Sequence, residues 1–86
     1  MNAIRELREY LKSNRTNPSA KVLAKLAVAL ADEQEFPLAE LYRLPLREFD
    51  LAIELMRDWR LDRDYVARMR LFDLVVNEVL PEKGAA

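Results

Sequence analysis

The sequence predicts an all-α fold, a small helical bundle of four main helices plus one short helical turn. Apolar residues recur every three or four positions along most of the 86-residue chain, which is the spacing of an amphipathic helix. Prolines fall where this pattern restarts, as expected at helix starts. Residues 71 to 80 include seven apolar residues and could form a strand, but no other segment could pair with it. A helix is therefore predicted there as well.

The first helix is predicted from about residue 3 to residue 12, with Asn2 as its N-cap. Ile4, Leu7 and Leu11 lie three and four positions apart and form an apolar stripe. We expect this stripe to face the core, while the other flank of the helix is basic.

The second helix is predicted from about residue 18 to residue 34. Asn17 supplies an N-cap side chain, and Pro18 fits the first helical position, where no backbone N–H is needed. Leucines form one row along this helix and alanines form a neighbouring row, whose small side chains would allow another helix to approach closely. These residues are Leu23, Leu26, Leu30, Ala20, Ala24, Ala27 and Ala31.

The second half of the chain is predicted to hold the short helical turn and two longer helices. The turn lies near residues 38 to 43, between Pro37 and Pro45. The third main helix runs from about 45 to 60 and the fourth from about 62 to 80, with Asp62 or Asp64 as its N-cap. Apolar stripes define both helices: Phe49, Ala52, Ile53, Met56 and Trp59 in the third, and Tyr65, Met69, Phe72, Val76 and Val79 in the fourth.

Residues 1 to 80 are therefore predicted to form a single helical domain, and residues 81 to 86 a disordered C-terminal tail. A domain of this size has a thin stability margin, and a second subunit could enlarge its core. The predicted core consists of Leu7, Leu11, Leu23, Leu26, Ala27, Leu30, Leu41, Phe49, Ile53, Met56, Phe72, Val75, Val76 and Val79.

The residue types that the chain lacks exclude most familiar active sites. Without histidine and cysteine there is no imidazole base, no thiolate nucleophile and no usual zinc or haem ligand. The single glycine, Gly84, rules out a glycine-rich phosphate loop, so neither a cofactor nor a metal is expected. Carboxylate pairs such as Asp58 and Asp62 have arginine neighbours that keep them ionised, which argues against an enzyme. No apolar run is long enough for a signal peptide or a membrane span, so a cytoplasmic protein is expected.

The densest concentration of residues typical of protein interfaces surrounds the only tryptophan. Tryptophan, tyrosine and arginine are enriched at interfaces because they bury a large area or pair with carboxylates through two hydrogen bonds. The candidate protein-binding residues are Arg57, Trp59, Arg60, Arg63, Tyr65 and Arg68. The alternative is a corner between two helices, in which Trp59 closes the core and the alternating Arg and Asp residues form a solvated ladder of salt bridges.

A row of cations on the first helix gives a second candidate site. Arg5, Arg8, Lys12 and Arg15 are spaced three, four and three residues apart. Such a row could contact phosphates, which gives the alternative function of a nucleic-acid-associated regulator. The net charge of −1, and the glutamates on the same helix, favour a solvated charged face instead.

The last helix is apolar around most of its circumference. This is more apolar surface than the other helices of so small a domain are expected to cover. A row through Leu71, Leu74 and Val75 is left over, and an exposed apolar row marks an interface. These residues are the predicted seam of a two-fold homodimer. The alternative is a monomer in which this helix is central and covered by the others.

These features together predict a non-enzymatic helical protein-interaction module, a small adaptor or regulatory subunit that self-associates. The prediction rests on the missing catalytic residue types and on the wide apolar arcs of the second and last helices. The expected partner is another protein or a second copy of the chain, with no membrane contact.

Overall fold

The described part of the chain, residues 3–61 and 65–80 of a computed structural model, is built from helices and contains no strand. Its elements are α1 (Ala3–Ser13), α2 (Pro18–Asp32), α3 (Leu38–Tyr42), α4 (Leu46–Leu61), α5 (Tyr65–Leu74) and a π-helical turn (Val75–Val79). The all-α prediction is confirmed. The predicted caps at Asn2, Asp62 and Asp64, the tail at 81 to 86, Arg63 and the side chain of Tyr65 lie outside the described residues.

Local sequence chemistry sets both ends of α2. The side-chain oxygen of Asn17 accepts a hydrogen bond from the backbone N–H of Ser19 at 2.8 Å, and Pro18 occupies the first helical position, as predicted. The helix ends at Asp32, two residues before the predicted end. Glu33 there adopts a left-handed conformation with φ of 54°, which terminates the helix.

The core forms where α1 packs against α4 and α5, with α2 lying against α4, α5 and the π-helical turn. The predicted stripe of α1 is confirmed, because Ile4, Leu7 and Leu11 are fully buried. Other predicted core positions differ from the structure. Those that are only half-buried are Leu30, Phe49, Met56, Phe72 and Val76.

The orientation of α4 differs from the prediction. Ala52 and Leu55 are fully buried, whereas Ile53, a predicted core residue, is 45% exposed. Both α1 and α2 pack on α4, and the small side chain of Ala52 lets them approach closely. A second apolar row of this helix is consequently left at the surface.

The last helix is also oriented differently from the prediction, and it changes from α to π geometry at Val75. The N–H of Leu80 donates to the carbonyl of Val75, five residues earlier. With this spacing, Leu74 and Val75 lie on the same inner side of the helix as Val79 and Leu80. The buried residues of this segment are Leu71, Leu74, Val75, Val79 and Leu80.

The predicted dimer seam is wrong for its three residues. Leu71 and Val75 are fully buried, and Leu74 is only 7% exposed. They pack against the chain's own α1 and α2, so they offer no surface to a second copy. Self-association stays a prediction and requires a different surface.

Candidate functional site

Two of the candidate protein-binding residues, Trp59 and Arg68, meet where the end of α4 lies against α5. The guanidinium carbon of Arg68 lies 4.6 Å from the centroid of the Trp59 ring, within the range of a cation–π interaction. The same guanidinium donates a hydrogen bond to the backbone carbonyl of Trp59. Both side chains are half-buried, so the indole is held in one position with part of its surface open to solvent.

Two further candidates, Arg57 and Arg60, do not join this pair. Arg57 and Arg60 are exposed on α4, and they are not among the described residues that line the groove beside Trp59. Arg63 and the side chain of Tyr65 are not described. Of the candidates that the structure describes, only Trp59 and Arg68 line this groove, and its other described lining residues come from the C-terminal end of α2 and from α5.

A groove of about 540 Å³ lies between the C-terminal end of α2 and the outer side of α5. Leu30, Trp59, Met69 and Phe72 form its apolar floor. Three of these are half-buried, and Met69 is 65% exposed. We call this feature the α2–α5 groove. Its floor keeps apolar surface in water, which a bound apolar side chain would remove.

The rim of the α2–α5 groove is mainly acidic. Asp32, Glu33 and Asp73 contribute exposed carboxylates, while Arg68, the one cation among the described lining residues, is engaged with Trp59. The C-terminal end of α2 adds the negative end of its helix dipole. The groove therefore combines an apolar floor with a negative edge, which favours an apolar group flanked by positive charge.

Three of the four floor residues are predicted in other roles: Leu30 and Phe72 in the core, and Met69 in the buried stripe of the last helix. The surplus of apolar residues around the last helix, and the acidic residues Asp32 and Glu33 after the second helix, are the features of the sequence that could have indicated the groove. The sequence does not indicate that these two distant segments lie next to each other.

The cationic row of α1 is divided in the structure. Arg5 lines a cleft between α1 and α4, whereas Arg8 and Lys12 line a smaller cleft beside the π-helical turn. Arg15 follows the end of α1 and forms a salt bridge of 2.7 Å with Glu78. Glu78 also lines the smaller cleft, so Arg8, Lys12 and Arg15 stay near one another while Arg5 lies apart, and carboxylates line both clefts.

Comparison with protein-family models, curated proteins and solved structures finds no match to this chain. What the α2–α5 groove binds must therefore be inferred from its own geometry and charge. Within residues 3–61 and 65–80, no cluster of three or more carboxylates is placed to hold a metal ion. None of the helices in those ranges is both long and apolar enough to span a bilayer.

Proposed function

We propose that this chain is a non-enzymatic helical protein-interaction module, an adaptor or regulatory subunit of the cytoplasm. Its α2–α5 groove would receive large apolar side chains from a basic helical segment of a partner protein. The observation that carries this proposal is the partly exposed apolar floor around Trp59, bordered by the carboxylates of Asp32, Glu33 and Asp73.

The apolar floor supplies the binding free energy. Burying one large apolar side chain contributes about 1.5 to 3 kcal/mol, and the groove is wide enough for more than one. The contact between Arg68 and Trp59 fixes the indole before binding, so less side-chain freedom is lost when a partner arrives. An aromatic residue held beside a pocket is typical of an interface hot spot.

The rim selects the kind of partner. Lysine or arginine residues beside the apolar anchors would approach Asp32, Glu33 and the negative end of the α2 dipole. A helical segment suits an open groove because residues three or four positions apart project from one side. The proposed ligand is therefore an amphipathic, basic helix, and the interface is small enough to be transient.

The remaining parts of the proposal rest on composition. The chain has no histidine and no cysteine, which supports a binding role over catalysis. The alternative of a nucleic-acid-associated regulator has weaker support, because Arg5 lies apart from the other three cations and carboxylates line both clefts.

Affinity capture with the tagged full chain, from a lysate of its host and with or without nuclease, tests this function. The key variant is Met69→Glu, which places a charge on the groove floor. Leu38→Glu is the matched control, because Leu38 is similarly exposed, at 63% against 65%, and does not line the groove. We expect a stoichiometric protein partner that withstands nuclease, is kept by Leu38→Glu and is lost with Met69→Glu.

Two results would contradict the proposal. Recovery of the same partner by Met69→Glu would show that the groove does not bind it. Loss of recovery after nuclease treatment would favour the alternative nucleic-acid-associated regulator.

A further inference from the structure

A second apolar surface runs along the outer side of α4. Leu46, Phe49, Ile53 and Met56 are spaced three, four and three residues apart, so they form one row, which we call the outer stripe. Leu46 is 75% exposed and Ile53 45%, while Phe49 and Met56 are half-buried. Tyr42 of α3, also exposed, stacks on Phe49 with the ring centroids 6.1 Å apart and widens the row.

The outer stripe is additional to the face that α4 buries. Ala52 and Leu55 join this helix to the core, and Phe49 and Met56 pack against the core with part of their surface, so Leu46, Ile53 and the open parts of Phe49 and Met56 are what the outer stripe offers to a partner. Apolar residues that alternate at three and four positions are the pattern by which two helices pair along their length. The stripe is thus suited to contact with another helix.

The charges beside the outer stripe complement each other in an antiparallel pair. Asp50 and Arg57 are exposed, and each directly follows a residue of the stripe, so both lie on the same flank. They are seven residues apart and have opposite signs. When a second α4 runs in the opposite direction, Asp50 of each copy comes opposite Arg57 of the other.

The register that pairs these charges also pairs three of the four apolar residues, while Leu46 comes opposite Arg60 of the second copy, whose alkyl stem can pack on it. With a two-fold axis beside Ile53, this residue meets Ile53 of the second copy, and Phe49 meets Met56 of the second copy. The positions of the two-fold axis that these pairings require differ by about one residue, or 1.5 Å along the helix. A parallel pair would instead place Arg60 beside Arg60 of the second copy, which is unfavourable.

We propose that the outer stripe of α4 is the seam of an antiparallel, two-fold homodimer of this chain. The occupant of the stripe is a second copy, because one register pairs Phe49, Ile53 and Met56 and also the flanking charges of Asp50 and Arg57. The proposal does not depend on the α2–α5 groove, because none of the four residues of the outer stripe lines that groove. It replaces the seam expected on the last helix.

Sedimentation equilibrium of the full chain over a wide concentration range tests the dimer. The wild type is expected to move from the chain mass of 10.1 kDa toward twice that value as its concentration rises. Ile53→Glu places two like charges at the axis and should raise the dimer Kd at least about 100-fold. Met69→Glu, in the groove, is the control and should dimerise as the wild type does.

Charge reversal tests the direction of the pair without changing the apolar row. Asp50→Arg alone, or Arg57→Asp alone, should raise the dimer Kd about fivefold to tenfold, because each places like charges opposite each other at two symmetric positions. The double variant Asp50→Arg with Arg57→Asp should restore the wild-type Kd.

The proposal would be overturned by a wild-type mass that stays at 10.1 kDa into the millimolar range. A dimer that neither Ile53→Glu nor the single charge reversals weaken would overturn it as well, because the contact would then lie elsewhere. If Met69→Glu dimerises normally but no longer captures the partner protein, the outer stripe and the α2–α5 groove act independently. Each of the two proposals can then fail without the other.

Discussion

The carboxylate of Asp58 on α4 accepts a hydrogen bond from the backbone N–H of Ala3 at the start of α1, with Oδ2 2.8 Å from the nitrogen. The first turn of a helix has N–H groups without a partner inside the helix and carries partial positive charge. A half-buried carboxylate from a residue 55 positions away satisfies one of these groups. This bond fastens α1 to α4 and caps α1 at the same time.

Removal of this carboxylate should destabilise the fold. Asp58→Ala is expected to lower the free energy of unfolding by about 1 kcal/mol, because the N–H of Ala3 loses its acceptor. Asp58→Asn should cost less, since the amide oxygen can still accept. Urea denaturation measures both, with Glu54→Ala, an exposed carboxylate of α4, as the control. Equal losses for Asp58→Ala and Glu54→Ala would contradict the capping role.

The contact between α1 and α4 should also make stability fall at high pH. The Tyr10 hydroxyl donates to Oε2 of Glu48 at 3.2 Å. Burial raises the pKa of the Tyr10 phenol above its ordinary value of about 10, and the Glu48 carboxylate raises it further. Below pH 10 this phenol is protonated in both states. Above it the unfolded chain loses the proton first, so the free energy of unfolding decreases until the folded pKa is passed.

Tyr10→Phe removes this proton and should therefore flatten the decrease above pH 10. The measurement is the urea midpoint from pH 8 to pH 11, compared between the wild type, Tyr10→Phe and Tyr42→Phe. Because lysines titrate in the same range, the difference between variants is the informative quantity. Identical pH profiles for Tyr10→Phe and the wild type would contradict the assignment.

Replacing the left-handed residue that ends α2 with glycine should stabilise the fold. Glu33 has φ of 54°, where a Cβ atom crowds the following carbonyl oxygen and glycine, which lacks Cβ, does not. Glu33→Gly is expected to raise the free energy of unfolding by about 0.5 to 1 kcal/mol. Glu35→Gly, two residues further on, is the control and should not stabilise the chain. Thermal unfolding of the two variants decides this prediction.

The orientation of α4 predicts a large contrast between two neighbouring residues. Leu55 is fully buried, so Leu55→Ala should cost about 2 to 5 kcal/mol through the cavity that it leaves. Ile53 is partly exposed, so Ile53→Ala should cost less than about 1.5 kcal/mol when measured at concentrations where the chain is monomeric. The opposite order of the two losses would support the orientation expected from the sequence.

Helix ends were predictable from the sequence where one or two residues control them. Asn17 and Pro18 specify the start of α2 through a side-chain acceptor and a ring that needs no N–H. The rotation of α4 and of the last helix was not predictable in this way. Both helices carry apolar residues on several sides, and the buried side is selected by contacts between distant segments, at Ala52 in α4 and in the π-helical turn after Leu74.

The candidate site followed from the sequence only in part. Trp59 was identified from its residue type, and Arg68 from its place in the same arginine-rich segment. Leu30 belongs to α2, and its position opposite Phe72 depends on how α2 packs against α5. A groove assembled from separate helices leaves no spacing pattern in the sequence, because each half looks like an ordinary apolar stripe.

The central claim, that the α2–α5 groove binds a basic amphipathic helix, is tested most directly through the fluorescence of Trp59, the only tryptophan. The probe is a helical peptide without tryptophan that carries two leucines four residues apart, flanked by lysines. Its counterpart has glutamates in place of the lysines. We expect a saturable shift of Trp59 emission with the basic peptide, at least about tenfold weaker binding of the acidic peptide, and loss of the shift in Met69→Glu. Equal binding of both peptides, or no response of Trp59 to the basic one, would contradict it.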